Sequence, residues 1–206
     1  MNELTDQVLE ALYKYPELLK QVPAGSLLHR VQASRYDTSP VNYADPSKQV
    51  GVYYLACSAE VAIAESFQPG QGIDDQPVRL SRLEQTSLHL LRTVRELYVV
   101  DVAALANRAT HHKIRDIVQA KGQGREGYAF TRKLSQVCMS QGQVDGLLYP
   151  SAVYSVTGSM DGCNIVLFQG RSIQIEAIRH QAVSLAVLQN GETVVEFLYS
   201  LGVALE

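Results

Sequence analysis

The stretch GVYYLACSAEVAIAESF, residues 51–67, places two carboxylates, Glu60 and Glu65, among residues with almost no other polar group. Ser58 has the chemistry of a helix N-cap, because its hydroxyl accepts from the free amides of a first turn. On a helix that starts there, Glu60 and Glu65 stand about 140° apart and cannot share one narrow polar stripe. Glu60 falls in the first turn, where the positive end of the helix dipole favours an acid. Glu65 falls further along, with Val61 and Ala62 one turn below it. A carboxylate held against protein needs a partner or a chemical task. The alternative is an acid at the edge of a half-buried helix.

A second candidate is Arg30, inside SLLHRVQ (26–32), which reads as a strand. Strand alternation puts Leu28, Arg30 and Gln32 on one face and Leu27, His29 and Val31 on the other. A guanidinium there is either a solvated edge group or a grip for phosphate through two parallel hydrogen bonds. A third candidate is Ser151, where Tyr149-Pro150-Ser151 ends another strand and brings a hydroxyl to the rim of a sheet. Taken alone, it reads as an ordinary turn serine.

Other signals carry less. GQGREG (122–127) has the form G-x-G-x-x-G, but a dinucleotide fingerprint needs a strand before it, and HHKIRDIVQAK is helical. Gly122 reads instead as a helix stop. His111 and His112 are adjacent on that helix and point about 100° apart, so they do not converge on a metal ion. His89 and His180 stand singly in strand-like segments with no partner evident from sequence. The three cysteines, Cys57, Cys138 and Cys163, are scattered and form no Cys-x-x-Cys, which argues against a disulfide framework and a structural zinc site.

The elements that must position these groups follow from the patterning. The 206 residues suffice for one domain with a sizeable core, with 46% hydrophobic and 19% charged residues, as in ordinary globular chains. A net charge of −3 gives no basic footprint for nucleic acid or anionic lipid. The start, MNELTDQVLEALYKYPELLK, has early acids and no long apolar run, so neither a signal peptide nor a membrane span is expected, and a cytoplasmic protein is. Residues 3–21 predict an amphipathic helix interrupted at Pro16. Strands are predicted over 87–94, 97–101, 145–149, 164–168 and 172–178. Helices are predicted at 58–67, from Asp101 as a cap through Ala106, at 109–120 and at 127–140, and Asn190-Gly191 marks a turn. Strands and helices mix without a regular βαβ rhythm, which favours an α+β fold over a doubly wound sheet.

In this order, LLHRV with Arg30, GVYYLACSAEVAIAESF with Glu65, DGLLYPSAVYS with Ser151 and GCNIVLF with Asn164 resemble the RES-domain family, named for an Arg, a Glu and a Ser. The likeness spans about residues 26–169, leaving 3–21 and 172–206 as periphery of a single domain over 1–206. The middle motif is fairly specific, and the other pieces are short. Many relatives carry Gly-Arg-aromatic-Asn or -Asp before the Tyr-containing strand. This chain has VNYAD (41–45), with Asn42 where the second Arg would stand, and Arg35 or Lys48 as cations in the same loop.

The resemblance implies a fold like that of ADP-ribosyltransferases and a toxin that breaks down NAD as a substrate, with no metal. The scissile bond joins nicotinamide to ribose and breaks through an oxocarbenium-like state. By resemblance, Arg30 holds the phosphates and Glu65 stabilises charge on the ribose. Tyr54 packs on the substrate, Ser151 orients it, and Asn164 belongs to the same binding set. The implied partners are an Xre-like antitoxin and a second copy of the chain, as a homodimer within the complex. Two other readings stay open: an ADP-ribosyltransferase acting on a protein target, and a non-catalytic binding module on the same scaffold.

Overall fold

The computed structural model describes residues 3–38, 51–68, 77–109, 124–154, 156, 159–171 and 174–206. The expected 109–120 helix, the His111-His112 pair, Gly122, Asn42 and Lys48 fall wholly or almost wholly outside these residues.

The strands are β1 (Leu19–Val22), β2 (Leu27–Ala33), β3 (Val52–Ala56), β4 (Thr86–Thr93), β5 (Leu97–Asp101), β6 (Gly146–Pro150), β7 (Cys163–Phe168) and β8 (Ile175–Ala182). They form a single sheet in the order β1-β5-β6-β7-β3-β2-β4-β8. Only β5 and β6 run parallel; the other neighbours are antiparallel. The described helices are α1 (Glu3–Lys14), α2 (Ala59–Phe67), α3 (Leu80–Glu84), α4 (Val102–Ala109), α5 (Gly124–Met139) and α6 (Val194–Ser200). The α+β class read from the sequence is the one observed.

One apolar cluster draws on all eight strands, including Val22, Leu28, Tyr53, Leu91, Val99, Leu148, Ile165 and Ile175. A flat sheet cannot bring its outer strands into one cluster, so the sheet curls. On the other face, α1, α4 and α5 cover the β5–β6–β7 region, and α2, α3 and α6 cover the region around Ala56 and Leu88. The sheet has a seam: β2 meets β3 only at His29–Ala56, whereas β2 and β4 pair along seven positions from Leu27–Arg92 to Ala33–Thr86.

The start of β6 is pinned by a buried acid. Asp145, 4% exposed, takes a bidentate pair from Arg95 and the backbone amide of Tyr98 at 3.0 Å. Burial pushes its carboxyl up, but the Arg95 hydrogen bonds, the Tyr98 amide, the Arg95 charge and Gln174 outweigh it and hold the group below the usual carboxylate range. Next to it, Gly146 lets β6 approach β7 closely: a Cβ there would stand 2.1 Å from the Val166 carbonyl oxygen.

Two peripheral expectations need correction. The predicted 3–21 helix ends at Lys14; Pro16 opens a 3-10 turn, and Leu19–Val22 is a strand paired with β5. Proline ends the helix because it lacks an amide and drives the residue before it, Tyr15, out of helical conformation (φ −125°, ψ 79°). Residues 172–206 are not peripheral. β8 completes the sheet beside β4, and α6 buries Val194, Phe197 and Leu198 against α2. The predicted strand at 172–178 begins at Ile175 and runs on to Ala182.

Candidate active site

Helix α2 forms as its cap predicts. Ser58 Oγ accepts from the Val61 amide at 3.2 Å and donates to the Asp161 carbonyl at 2.6 Å, which ties the helix start to the turn before β7. Val61, Ala62, Ile63, Ala64 and Phe67 are buried, so the helix is apolar around most of its girth. Glu60 is half-buried in the first turn and Glu65 is exposed near the last.

Two buried side chains reach Glu65 from the sheet. Asn164, 7% exposed at the start of β7, donates from Nδ2 to Glu65 Oε1 at 2.8 Å. Ser151, 5% exposed just after β6, donates from Oγ to the same oxygen at 2.7 Å. The Ser151 hydroxyl also accepts from the amides of Val153 (3.2 Å) and Tyr154 (3.0 Å), so its one proton is directed at Glu65. Among the described residues nothing hydrogen-bonds to Glu65 Oε2. One carboxylate oxygen is therefore fixed and the other remains an open acceptor.

Strand register sets this convergence. Asn164 pairs with Ala56 on one side and Tyr149 on the other, so β3, β7 and β6 carry the site side by side. Tyr54 is 52% exposed, whereas Val52 and Ala56, its neighbours on the same face of β3, are 8% and 2% exposed. Tyr54 thus exposes about half of its surface on the side of the sheet that holds Asn164. Sequence reasoning missed Tyr149 as a member of the site. Burial raises its phenol well above the usual range, and the charges of Glu65 and Tyr54 add to the shift. Tyr149 therefore stands beside the carboxylate as a neutral phenol.

Arg30 is placed differently. Its guanidinium lies over the ring of fully buried Tyr53, 4.2 Å from the centroid. Its register partner is His89 on β4. Val31, on the opposite face of β2, packs against the α2 cluster. The structure thus groups Glu65, Ser151 and Asn164 with Tyr54 on the same side, and it does not bring Arg30 into contact with Glu65. Arg30 and Glu65 instead stand one residue before Val31 and Ser66, which both line a cleft of about 740 Å³ at the end of β2 beyond its pairing with β3.

His89 and His180, which the sequence left without partners, are partners of each other and of Asp37. Their rings stack with centroids 5.1 Å apart. Asp37 lies 2.9 Å from His89 Nε2 and 3.5 Å from His180 Nε2, and it accepts from Ser87 Oγ at 2.7 Å. The register His89–His180 between β4 and β8 creates the pair, which no local motif encodes. Among the described residues, no group of three His, Cys, Asp or Glu side chains is arranged to hold a metal ion, and no helix is long and apolar enough to cross a membrane.

A curled mixed sheet, with a capped helix whose carboxylate is tethered where β6 ends and β7 begins, defines an α+β protein. The sequence matches the RES domain over residues 23–188, and the chain belongs to that family. No curated protein sequence matches the chain. Among solved structures, the fold is similar to a chain of the M. tuberculosis MbcT–MbcA toxin–antitoxin complex, with a TM-score of 0.56 and 13% identity over 97% of each chain.

Proposed function

We propose that this RES-domain protein is the toxin of a toxin–antitoxin pair and that it destroys NAD by cleaving the nicotinamide–ribose bond. The observation that carries this reading is the state of Glu65. Ser151 and Asn164 hold Oε1, nothing among the described residues hydrogen-bonds to Oε2, and the half-exposed Tyr54 lies on the same side of the sheet as Asn164. Membership of the RES family and the likeness to a toxin–antitoxin complex support it.

The chemistry asks little of the protein. The C–N bond breaks with both electrons going to the ring nitrogen, and nicotinamide leaves neutral. Positive charge develops on the ribose, where a fixed carboxylate stabilises it. Water or phosphate then adds to the ribose carbon and releases a proton to solvent, giving ADP-ribose or its phosphate ester. Ser151 and Asn164 position Glu65. Tyr54 packs on the substrate, and Arg30, half-buried over the Tyr53 ring, is the phosphate contact that the family resemblance implies. NAD is consumed as a substrate. An Xre-like antitoxin silences the toxin by covering this face, with the toxin paired as a homodimer in the complex.

Incubation of the pure protein with NAD and no protein acceptor tests the reading. Nicotinamide and ADP-ribose accumulating over many turnovers is the expected result. Nicotinamide release only when a protein target is added points instead to ADP-ribosyl transfer. Intact NAD together with unimpaired growth on induction points to a non-catalytic binding module.

A further inference from the structure

We infer that the cleft at the end of β2 beyond its pairing with β3 is the seat of a diphosphate, gripped by Arg35 and Arg82, which line it where Arg30 does not. This deepens the reading above and rests on it for the identity of the ligand as a dinucleotide. The cleft, about 740 Å³, falls within the range of small-molecule sites. It is lined by β2 and the turn that follows it, from Val31 to Arg35, by the end of α2 at Ser66 and Phe67, by Arg82 of α3, and by Gln85 and Thr86. Among the described residues that line it none is acidic, although the chain as a whole carries a net charge of −3.

Both guanidiniums are exposed, and neither has a carboxylate partner among the described residues. Both are nevertheless steered. Arg82 donates from Nη2 to the Ser66 carbonyl at 3.1 Å and lies over the Phe67 ring, 5.2 Å from its centroid. Arg35 lies over the Tyr36 ring at 4.9 Å. Arginine held on an aromatic face keeps donors free in a planar fork, the geometry that matches phosphate oxygens. The position also suits the chemistry, because Ser66, which lines the cleft and accepts from Arg82, directly follows Glu65. The missing cation at Asn42 is thereby replaced by one from the same loop and one from α3, a helix outside the motifs that carry the family resemblance.

The test is calorimetric titration of the full chain with ADP-ribose, AMP and adenosine. ADP-ribose lacks the nicotinamide–ribose bond, so its binding is read without any turnover and this measurement stands apart from the chemistry assigned to Glu65. Arg35→Gln and Arg82→Gln each weaken binding about tenfold, and the double variant about a hundredfold, as expected for charge-assisted hydrogen bonds. AMP binds at least tenfold more weakly than ADP-ribose, and adenosine more weakly still. Wild-type affinity also falls as salt rises, which serves as the readout should a variant fail to fold. Wild-type affinity for ADP-ribose in the double variant, equal binding of adenosine, or affinity that does not change with salt overturns the inference.

Discussion

Asn164 donates its side-chain amide to Glu65 across 2.8 Å, joining residues 99 apart in the chain. The contact exists because β7 lies between β3 and β6 and because Asn164 is the β7 residue opposite both Ala56 and Tyr149. With Ser151 on the same oxygen, the carboxylate is held by two strands while its own helix is capped onto the turn before β7.

Removing the amide loosens the carboxylate without touching the substrate-facing oxygen. Asn164→Ala is expected to lower kcat for NAD cleavage about 10- to 100-fold with KM within a factor of three, because mispositioning by a fraction of an ångström is costly. Asn164→Asp, which sets a second carboxylate against the first, is expected to lower it further. Steady-state nicotinamide release, with melting curves as a control, measures both; a rise in KM alone would assign Asn164 to ground-state binding.

Gly146→Ala tests the frame under the site. The new Cβ meets the Val166 carbonyl oxygen at 2.1 Å, so β6 and β7 must move apart. A stability loss of about 1–3 kcal/mol is expected, the usual cost of overpacking. Activity per folded molecule should fall too, because these strands position Ser151 and Asn164. Chemical denaturation and active-fraction assays read the two effects.

Stability depends on pH through two buried imidazoles. Burial, with the nearby Arg179 charge, lowers His29 from 6.5 to about 4, and its Nδ1 is buried with no hydrogen-bond partner among the described residues. His89 is also lowered, as burial outweighs the hydrogen bond and charge of Asp37. Between pH 6.5 and about 4 the unfolded chain binds protons at His29 that the fold excludes, so stability falls as pH falls through that window. Denaturation midpoints across the range should show this slope, and His29→Gln should flatten it.

Asp145→Ala leaves Arg95 facing a site built for a carboxylate and strips the Tyr98 amide of its acceptor. A loss of about 3–5 kcal/mol is expected, as when one partner of a buried ion pair is removed. In wild type the carboxyl is depressed, so its contribution is present above the unfolded carboxylate value and lost as acid drives the pH down through the folded one. Urea denaturation at neutral pH, compared with the same measurement near pH 3, separates the two.

The sequence made the local pieces legible. The Ser58 cap and the apolar run after it define α2 and single out Glu65, and the runs of β-formers in β2, β3 and β7 give those strands nearly to the residue. The partners of Glu65 were named only one by one, because a bond between residues 86 or 99 apart depends on strand order, which no window of sequence encodes. The same holds for His89, His180 and Asp37. β1 was hidden because LKQV continues the apolar spacing of α1, and only pairing with β5 makes it a strand. Helix α6, in contrast, carries a readable signal, the Thr193–Glu196 capping box, within a tail treated as peripheral. Arg82 could not be found from sequence, since only the cleft gives it a role.

The most direct test of the account is the initial rate of nicotinamide release from NAD by wild type and by Glu65→Gln, measured side by side. The substitution keeps the side chain's size and removes its charge. Wild type is expected to turn over NAD without any protein acceptor, and the variant to lose at least about 10²-fold in kcat while folding normally. A Glu65→Gln protein that releases nicotinamide at the wild-type rate would contradict it.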